Sequence, residues 1–385
     1  MGVAPKLNAL TSLRFLAAFA IVIHHSRGTL LTPDTLSNWP LDSAVSFFFV
    51  LSGFILTHVY PELPTRQHVR RFLIARFARL WPVHLLTLII ALLLLSDFLL
   101  KSELAFIANI TAIHAWVPRG DFFFSFNAVS WSISVEVGFY LLFPFLIHNL
   151  QSTWSWKLIF SLFSAIALIA LCSLLDPPPF DMNHTGLSST GLLYTNPLAR
   201  LFEFVLGMAA AVWWKTYWNQ LDNSMTIRWT VIECASIAAV ITYVAYLRLP
   251  AFGFLSPLLP GNLTNWLVCA DTSPFFALLI IVAANGAGWI SRALASRPLV
   301  FLGEISYSIY MLHNIIINFL ARYELIPLIP DRLQFFTAAF LIIGLSAVSY
   351  LLIERPMRGA IIRLAFRTGE QLRNLNVFGR HSAFG

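Results

Sequence analysis

The first apolar stretch of the chain contains two polar side chains that destabilise a membrane helix unless they face a cavity or a partner. Residues 7–26 are long enough, at about 18–20 residues, to cross a bilayer as one helix. Arg14 lies within this stretch and His25 lies near its far end. An ionisable side chain inside a spanning helix costs several kcal/mol unless it faces a cavity or a partner. The two residues lie close to three helical turns apart, which places them on one face with a depth difference of about 16 Å. This spacing predicts a polar shaft through the membrane.

A carboxylate lies at a depth comparable to that of His25. Glu136 follows W-S-I-S-V in a later apolar stretch, about two turns from its outer end. A carboxylate behind an imidazole fixes the imidazole tautomer and stabilises the charged form. We therefore predict that Glu136 partners His25, the alternative being a structural ion pair or a protonated, hydrogen-bonded glutamic acid.

Two arginines mark the start of the third apolar stretch. Arg76 and Arg79 are three residues apart in R-R-F-L-I-A-R-F-A-R-L-W-P, so they share one helical face. Guanidinium groups pair bidentately with phosphate. The pair is therefore interpreted either as a phosphate clamp or as a positively charged anchor that sets topology.

Two further motifs place small or polar residues within apolar helices. Ser52 and Gly53 interrupt the second span, which indicates either close backbone approach to a ligand or a packing notch. Tyr307, Tyr310 and His313 follow one another at three-residue spacing and form a polar stripe. All three are candidates for acceptor or oxyanion contacts. The alternative for the tyrosines is that of core residues with satisfied hydroxyls, and His313 ranks below His25 as a catalytic candidate.

The amino-acid composition indicates an integral membrane protein. The chain has 385 residues, of which 58% are hydrophobic and 11% charged, whereas a soluble domain has about 25% charged residues. The pattern predicts an all-α polytopic protein with about ten transmembrane helices around the polar shaft. The expected spans are 8–26, 43–60, 82–97, 129–147, 158–175, 198–214, 230–248, 272–290, 298–320 and 334–353.

The distribution of basic residues predicts the orientation. With a cytoplasmic N-terminus, seventeen of the 25 lysines and arginines fall on the inside, so both termini are expected in the cytoplasm. The net charge of +7 therefore marks topology and not nucleic-acid binding. The outer loops 97–128, 176–197 and 249–271 are expected to form a ligand surface, with 104–117 interfacial or re-entrant. Residues 1–356 form the transmembrane domain and 357–385 a basic cytoplasmic tail. The three cysteines show no metal or disulfide spacing.

Taken together, these motifs resemble the acyltransferase-3 family of integral membrane acyltransferases. The resemblance extends from residue 7 to Pro356, and the motifs occur in the family's order. They are Arg14 followed by ten residues and His25, F-F-V-L-S-G-F at 48–54, Arg76-x-x-Arg79, W-S-I-S-V-E with F-Y at 131–140, and F-L-G-E-I-S-Y-S-I-Y-x-x-H at 301–313.

The resemblance implies an acyl-CoA-dependent O-acyltransferase of the bacterial inner membrane. Acetyl-CoA is then a co-substrate, with no permanently bound cofactor or metal. Arg14, Arg76 and Arg79, with Ser52-Gly53, are expected to bind it from the cytoplasm, and His25 with Glu136 to catalyse transfer. The expected acceptor is a glycan, such as a lipid-linked exopolysaccharide or O-antigen unit.

Three alternatives stay open at this point. The chain is alternatively a transporter or flippase for a lipid-linked sugar, or an acyltransferase for a small-molecule acceptor. An acetyl-His25 intermediate is the rival to direct transfer, and it predicts isotope exchange between CoA and acetyl-CoA without acceptor.

Overall fold

The chain is helical throughout the part that the structure describes. A computed structural model describes residues 7–32, 34, 36, 39–95, 102–180, 186–218 and 225–366. These residues form eighteen α-helices and no strand beyond two isolated bridges, which confirms the all-α prediction.

The helices follow one another with short connections. The first six are α1 (Asn8–Ser26), α2 (Ala44–Val59), α3 (Arg66–Leu95), α4 (Glu103–Ile110), α5 (Gly120–Phe123) and α6 (Trp131–Ile147). The next six are α7 (Leu150–Leu175), α8 (Ser189–Leu193), α9 (Leu201–Trp213), α10 (Thr226–Thr242), α11 (Arg248–Leu255) and α12 (Gly261–Ala270). The last six are α13 (Ser273–Asn285), α14 (Trp289–Leu294), α15 (Arg297–Glu304), α16 (Ser306–Arg322), α17 (Asp331–Ser349) and α18 (Arg355–Ala365). Single π-helical turns occupy Trp214–Trp218, Tyr243–Leu247 and Tyr350–Glu354.

Eight helices in the described residues are long and apolar enough to cross a membrane, or nine if the bent pair α15–α16 counts as one span. The number differs from the predicted ten because the expected span 198–214 corresponds to α9, which has only 13 residues. The predicted start of the third span also changes. Residues 66–81 continue directly into it as α3, so Arg76 and Arg79 lie within one long helix. The predicted basic tail is described only to Phe366, at the end of α18, and the rest lies outside the described residues.

Burial separates central from peripheral helices. The spanning windows of α2 and α6 are 67% buried, whereas those of α7 and α10 are 17% buried. Exposed Leu, Ile and Phe side chains cover the peripheral helices, as a lipid-facing surface requires. The centre of the bundle therefore contains α1, α2, α3, α6 and α16.

Helices α2 and α9 approach each other through two glycines. A Cβ on Gly53 would lie 1.9 Å from the Phe204 carbonyl oxygen, and one on Gly207 would lie 1.9 Å from the Val50 carbonyl oxygen. Small residues at helix interfaces permit this backbone approach. The notch holds α2 against α9 and turns the Ser52 side of α2 toward the bundle centre.

The predicted ninth span is broken near Ile305. Helices α15 and α16 are bent by 58° relative to each other. At the break the Ser306 hydroxyl donates to the Gly303 carbonyl at 2.8 Å, and a Cβ on Gly303 would lie 1.9 Å from the Thr11 carbonyl oxygen of α1. The bend thereby lets α15 pack closely on the first half of α1 while α16 faces the bundle centre.

Candidate active site

Seven of the predicted site residues line one narrow cavity of about 80 Å³ in the bundle centre. They come from α1, α2, α3, α6 and α16, which are separated by long stretches of sequence. These residues are Arg14, Ser52, Arg76, Arg79, Glu136, Tyr307 and Tyr310. The structure therefore brings the resemblance motifs together around a single space.

A cluster of arginines occupies one end of this cavity. Arg79 and Arg358 lie within electrostatic range of each other, as do Arg79 and Arg14. Arg76 donates to the Tyr60 hydroxyl at 3.2 Å and lies over its ring. In the described part of the chain, Arg14 and Arg79 have no hydrogen-bond or ion-pair partner, and Nε and Nη2 of Arg358 are buried without one. Unpaired guanidinium groups held together in this way form a binding site for a polyanion.

One buried carboxylate lies beside the arginine cluster. Glu354 is 4% exposed and accepts a hydrogen bond from the Ser308 hydroxyl at 2.8 Å. It lies within electrostatic range of Arg79, Arg14 and Arg358. The Glu354 carboxylate therefore offsets part of the cluster's charge while leaving the guanidinium N–H groups free for a ligand.

Glu136 has different partners from those predicted. Its Oε1 accepts hydrogen bonds from the Tyr140 hydroxyl at 2.5 Å and from the Ser52 hydroxyl at 3.1 Å. His25 is not among its hydrogen-bond partners in the described residues, so the predicted contact between Glu136 and His25 is wrong. Glu136 lines the cavity within electrostatic range of Arg14 and Arg76, whereas His25 lies outside the cavity lining and contacts His313 of α16. The alternative of a hydrogen-bonded glutamate fits the observed contacts.

His25 instead pairs with His313. Nδ1 of His25 lies 3.0 Å from the Ile21 carbonyl oxygen and 3.2 Å from Nε2 of His313. Nδ1 of His313 lies 3.2 Å from the Ile309 carbonyl oxygen. A carbonyl only accepts, so both rings carry their proton on Nδ1 when neutral. His313 Nε2 then accepts from His25, and Nε2 of His25 keeps a free lone pair that can take a proton.

The carboxylate nearest to this pair in electrostatic terms is Asp42. Both His24 and His25 lie within its electrostatic range. Asp42 precedes α2 and is half-buried, with no side-chain hydrogen bond among the described residues. Asp42, rather than Glu136, is therefore placed to stabilise positive charge on the imidazole of His25.

The hydroxyl groups of Tyr307 and Tyr310 both donate hydrogen bonds to backbone carbonyl oxygens. Tyr307 donates to the Leu80 carbonyl at 2.7 Å and Tyr310 to the Val129 carbonyl at 3.1 Å. Tyr310 also accepts from the Ser132 hydroxyl at 2.8 Å. The satisfied-hydroxyl alternative therefore describes both tyrosines as they stand, and a role as oxyanion donor requires one of these bonds to break.

The predicted polar shaft is closed below the histidine pair. His25 and His313 do not line the central cavity. Tyr310 does line it and also packs against His313, with ring centroids 5.8 Å apart, and against Phe48 at 6.0 Å. These rings separate the arginine end of the cavity from His25.

Gly53 packs against α9 and is not in the cavity lining, in agreement with the packing alternative, while its contact with a ligand stays a prediction. Three further residues near the cavity were not predicted as site residues. They are Tyr140, Glu354 and Arg358. Tyr140 lies one turn after Glu136, which was a usable signal. Glu354 and Arg358 lie at and just after a π-helical turn at Tyr350–Glu354, so helical periodicity does not predict which face they take.

Comparison with known proteins identifies the family. The family model for acyltransferase-3, described as an acyltransferase domain, matches residues 7–352. Acyltransferase MdmB of Streptomyces mycarofaciens is 27% identical over 335 residues, covering 82% of this chain and 80% of that protein. O-acetyltransferase OatA of Staphylococcus aureus (strain NCTC 8325 / PS 47) is 25% identical over 374 residues, covering 91% of this chain.

Coverage of these relatives is unequal. A relative named putative O-acetyltransferase SACOL0978, from Staphylococcus aureus (strain COL), is 25% identical over 372 residues, covering 91% of this chain and 57% of that protein. This chain therefore spans little more than half the length of SACOL0978 and, likewise at 57%, of OatA. No solved structure matches the chain. The match of the family model over residues 7–352 and the motifs gathered around one cavity show that the chain is a multi-pass membrane protein belonging to the acyltransferase-3 family.

Proposed function

We propose that the protein is a membrane O-acyltransferase that moves an acetyl group from cytoplasmic acetyl-CoA to a hydroxyl of an exported glycan. The observation that carries the proposal is the arginine cluster at one end of a cavity whose other end approaches a proton-accepting histidine. Acetyl-CoA has matching chemistry, since its phosphates are polyanionic and its thioester lies at the end of a long, uncharged pantetheine arm.

The donor would bind with its phosphates among Arg14, Arg76, Arg79 and Arg358. Bidentate guanidinium–phosphate pairs are the strong, specific way to hold such a group. The pantetheine arm then points along the cavity toward Tyr310. Because the cavity is narrow, the arm requires side chains to move, and neither Arg14 nor Arg79 is held by a hydrogen bond.

Nε2 of His25 would act as general base for the acceptor. It takes the proton of the acceptor hydroxyl as the oxygen attacks the thioester carbonyl. The new C–O bond replaces the C–S bond, and CoA leaves as the thiol after receiving the proton from the imidazolium. His313 holds the His25 tautomer, and Asp42 stabilises the charged ring.

The proposal includes an orientation and an acceptor. The positive-inside bias supports a position of the arginine cluster at the cytoplasmic face of the bacterial inner membrane, where acetyl-CoA is made, with both termini cytoplasmic. His25 then faces outward, toward loops that support a glycan acceptor. The names of the relatives, an O-acetyltransferase and an acyltransferase, support acyl transfer to oxygen.

The test is thioester turnover by the purified full chain in nanodiscs. Free CoA is measured chromatographically for the wild type, His25→Ala and the control His148→Ala, an exposed histidine between α6 and α7. We expect His25→Ala to lower turnover by about 10²–10⁴-fold, the usual contribution of a general base, with acetyl-CoA affinity unchanged. Turnover that survives in His25→Ala, or well-folded wild-type protein that neither binds acetyl-CoA nor releases CoA, would overturn the proposal. Isotope exchange between CoA and acetyl-CoA without acceptor would replace direct transfer by an acetyl-His25 intermediate.

A further inference from the structure

A second, larger cavity of about 300 Å³ lies at the His25 end of the bundle. Its wall comes from three separate parts of the chain: the start of α2, the outer loop with α8, and α12. Two of the three loops expected to form a ligand surface, 176–197 and 249–271, meet here. Its volume is in the range of small-ligand sites, about 300–1,000 Å³.

Polar groups without partners face this cavity. The Asp42 carboxylate, the Ser43 hydroxyl and the Asn265 carboxamide line it, and none has a side-chain hydrogen bond within the described residues. These groups are half-buried or exposed and therefore accessible, so the set offers both donors and acceptors to a ligand. Hydroxyl-rich molecules use both kinds of group.

An aromatic ring completes the wall. Tyr194 lines the cavity and is held in place by Trp131, with ring centroids 4.7 Å apart, and by the Arg200 guanidinium, 5.4 Å from its ring. Tyr194 therefore gives the wall a rigid side chain with an apolar ring and a polar hydroxyl.

Charge in the cavity points to an uncharged ligand. Arg200 lines the wall but makes a two-bond ion pair with Glu203, at 2.6 and 2.8 Å, and donates to Ser46 at 3.0 Å. Its charge is therefore compensated, and Asp42 is the remaining acidic side chain on the wall. A uronic acid would place a second carboxylate near Asp42, which like-charge repulsion disfavours.

The cavity adjoins the histidine pair. Asp42 lies within electrostatic range of His25, and Tyr194 within that of Tyr310, whose ring contacts His313. We propose that this outer cavity binds the neutral saccharide that presents its hydroxyl to His25. The inference rests on the proposed function and adds to it the place and the charge class of the acceptor.

Cys269 provides a direct readout of occupancy. It lines the cavity and is half-buried, while Cys234 is exposed on α10 and serves as an internal comparison. The full chain in nanodiscs is alkylated with or without methyl hexosides of glucose, galactose and mannose, and with methyl glucuronide. Mass spectrometry follows each cysteine. A neutral hexoside at about ten times its dissociation constant should slow Cys269 alkylation by about tenfold, with Cys234 unaffected and glucuronide inactive.

Two variants on α12 make the readout specific. Asn265→Ala should raise the hexoside concentration for half-protection about 3- to 10-fold, the loss of one hydrogen bond. Asn262→Ala, one turn away and bonded to Ser173, should leave it unchanged. Asp42→Asn should allow glucuronide to protect.

The outcomes separate this inference from the proposed function. Cys269 alkylation unchanged by every hexoside, or equal protection by glucuronide and hexosides, in protein that still releases CoA, would overturn the cavity assignment and leave acyl transfer standing. Specific protection without any His25-dependent CoA release would support the cavity and overturn the transferase.

Discussion

At the scale of single residues, the arginine cluster lowers the stability of the ligand-free protein and favours ligand binding. Arg14, Arg79 and Arg358 repel one another, and Glu354 offsets only part of their charge. Like charges in a weakly hydrated site raise the free energy of the folded protein. A polyanionic ligand removes this repulsion, so the same groups that destabilise the empty site favour its occupation.

Arg358 offers a test of this interpretation that the family motifs do not contain. Arg358→Ala should weaken acetyl-CoA binding by about 10- to 100-fold, because a hydrogen bond to a charged group contributes about 1.5–3 kcal/mol. Isothermal titration in nanodiscs measures the dissociation constant. Arg355→Ala, an exposed arginine on the same helix, is the matched control. Equal effects of the two substitutions would show that only overall charge matters and that Arg358 does not contact the donor.

His313 is expected to be a positioning residue for His25. Its Nε2 accepts from Nδ1 of His25, so His313→Ala should leave the acetyl-CoA KM unchanged and lower kcat about tenfold, near the upper value of one net hydrogen bond. His313→Gln restores an acceptor and should recover part of kcat. Steady-state kinetics of both variants decide the matter. A fall in kcat that is identical for alanine and glutamine would point to packing instead.

The sequence predicted which residues meet but not all of their pairings. Polar residue types within apolar helices predict that Arg14, Arg79, Glu136 and Tyr307 belong to the site, and these residues do line one cavity. The direction in which a side chain faces around the bundle depends on helix packing, which periodicity does not contain. For that reason His25 was paired with Glu136 by depth, whereas its actual partner lies on α16.

At the scale of elements, the glycine notch between α2 and α9 fixes the wall of the cavity. Ser52 reaches Glu136 only if α2 keeps its rotation, and that rotation is set by the backbone contact at Gly53 and Gly207. The predicted span 198–214 is a helix, α9, but it has only 13 residues, and the buried pair of Arg200 and Glu203 lies at its start. The break at Ile305 was invisible in an apolar run, since tertiary contacts with α1 produce it.

Gly53→Ala should therefore destabilise the fold by at least about 1–3 kcal/mol, the cost of overpacking. The new Cβ would meet the Phe204 carbonyl oxygen, a backbone atom that has little freedom to move. Thermal unfolding followed by tryptophan fluorescence in detergent measures the change. Gly344→Ala is the control, because that glycine lies on exposed α17 with nothing within 4 Å of an added Cβ, and alanine there should stabilise the helix by about 1 kcal/mol. A Gly53→Ala protein as stable as the wild type would show that the two helices can separate without loss.

At the scale of the whole molecule, the predicted inside residues gather at one end of the bundle. Arg76 and Arg79 lie near Arg358, although α3 and α18 are far apart in sequence. Helices α1, α2 and α3 follow one another in alternating direction, and α15 is in close contact with α1. Both features hold the arginine end of the bundle together. A protein that takes its donor from one compartment and serves an acceptor in another requires this polarity.

The polarity predicts which positions an impermeant thiol reagent reaches in intact cells. Arg119→Cys in the outer loop should react without permeabilisation, and Gln151→Cys in the first turn of α7 only after the membrane is opened, because the positive-inside rule places 151 in the cytoplasm. Both positions are exposed, so a difference in rate reports sidedness and not burial. Wild-type protein provides the background from Cys234 and Cys269. If position 151 is labelled in intact cells and position 119 is protected, the protein has the opposite orientation in the membrane. The arginine cluster would then face away from cytoplasmic acetyl-CoA, and the direction proposed for acyl transfer would be wrong.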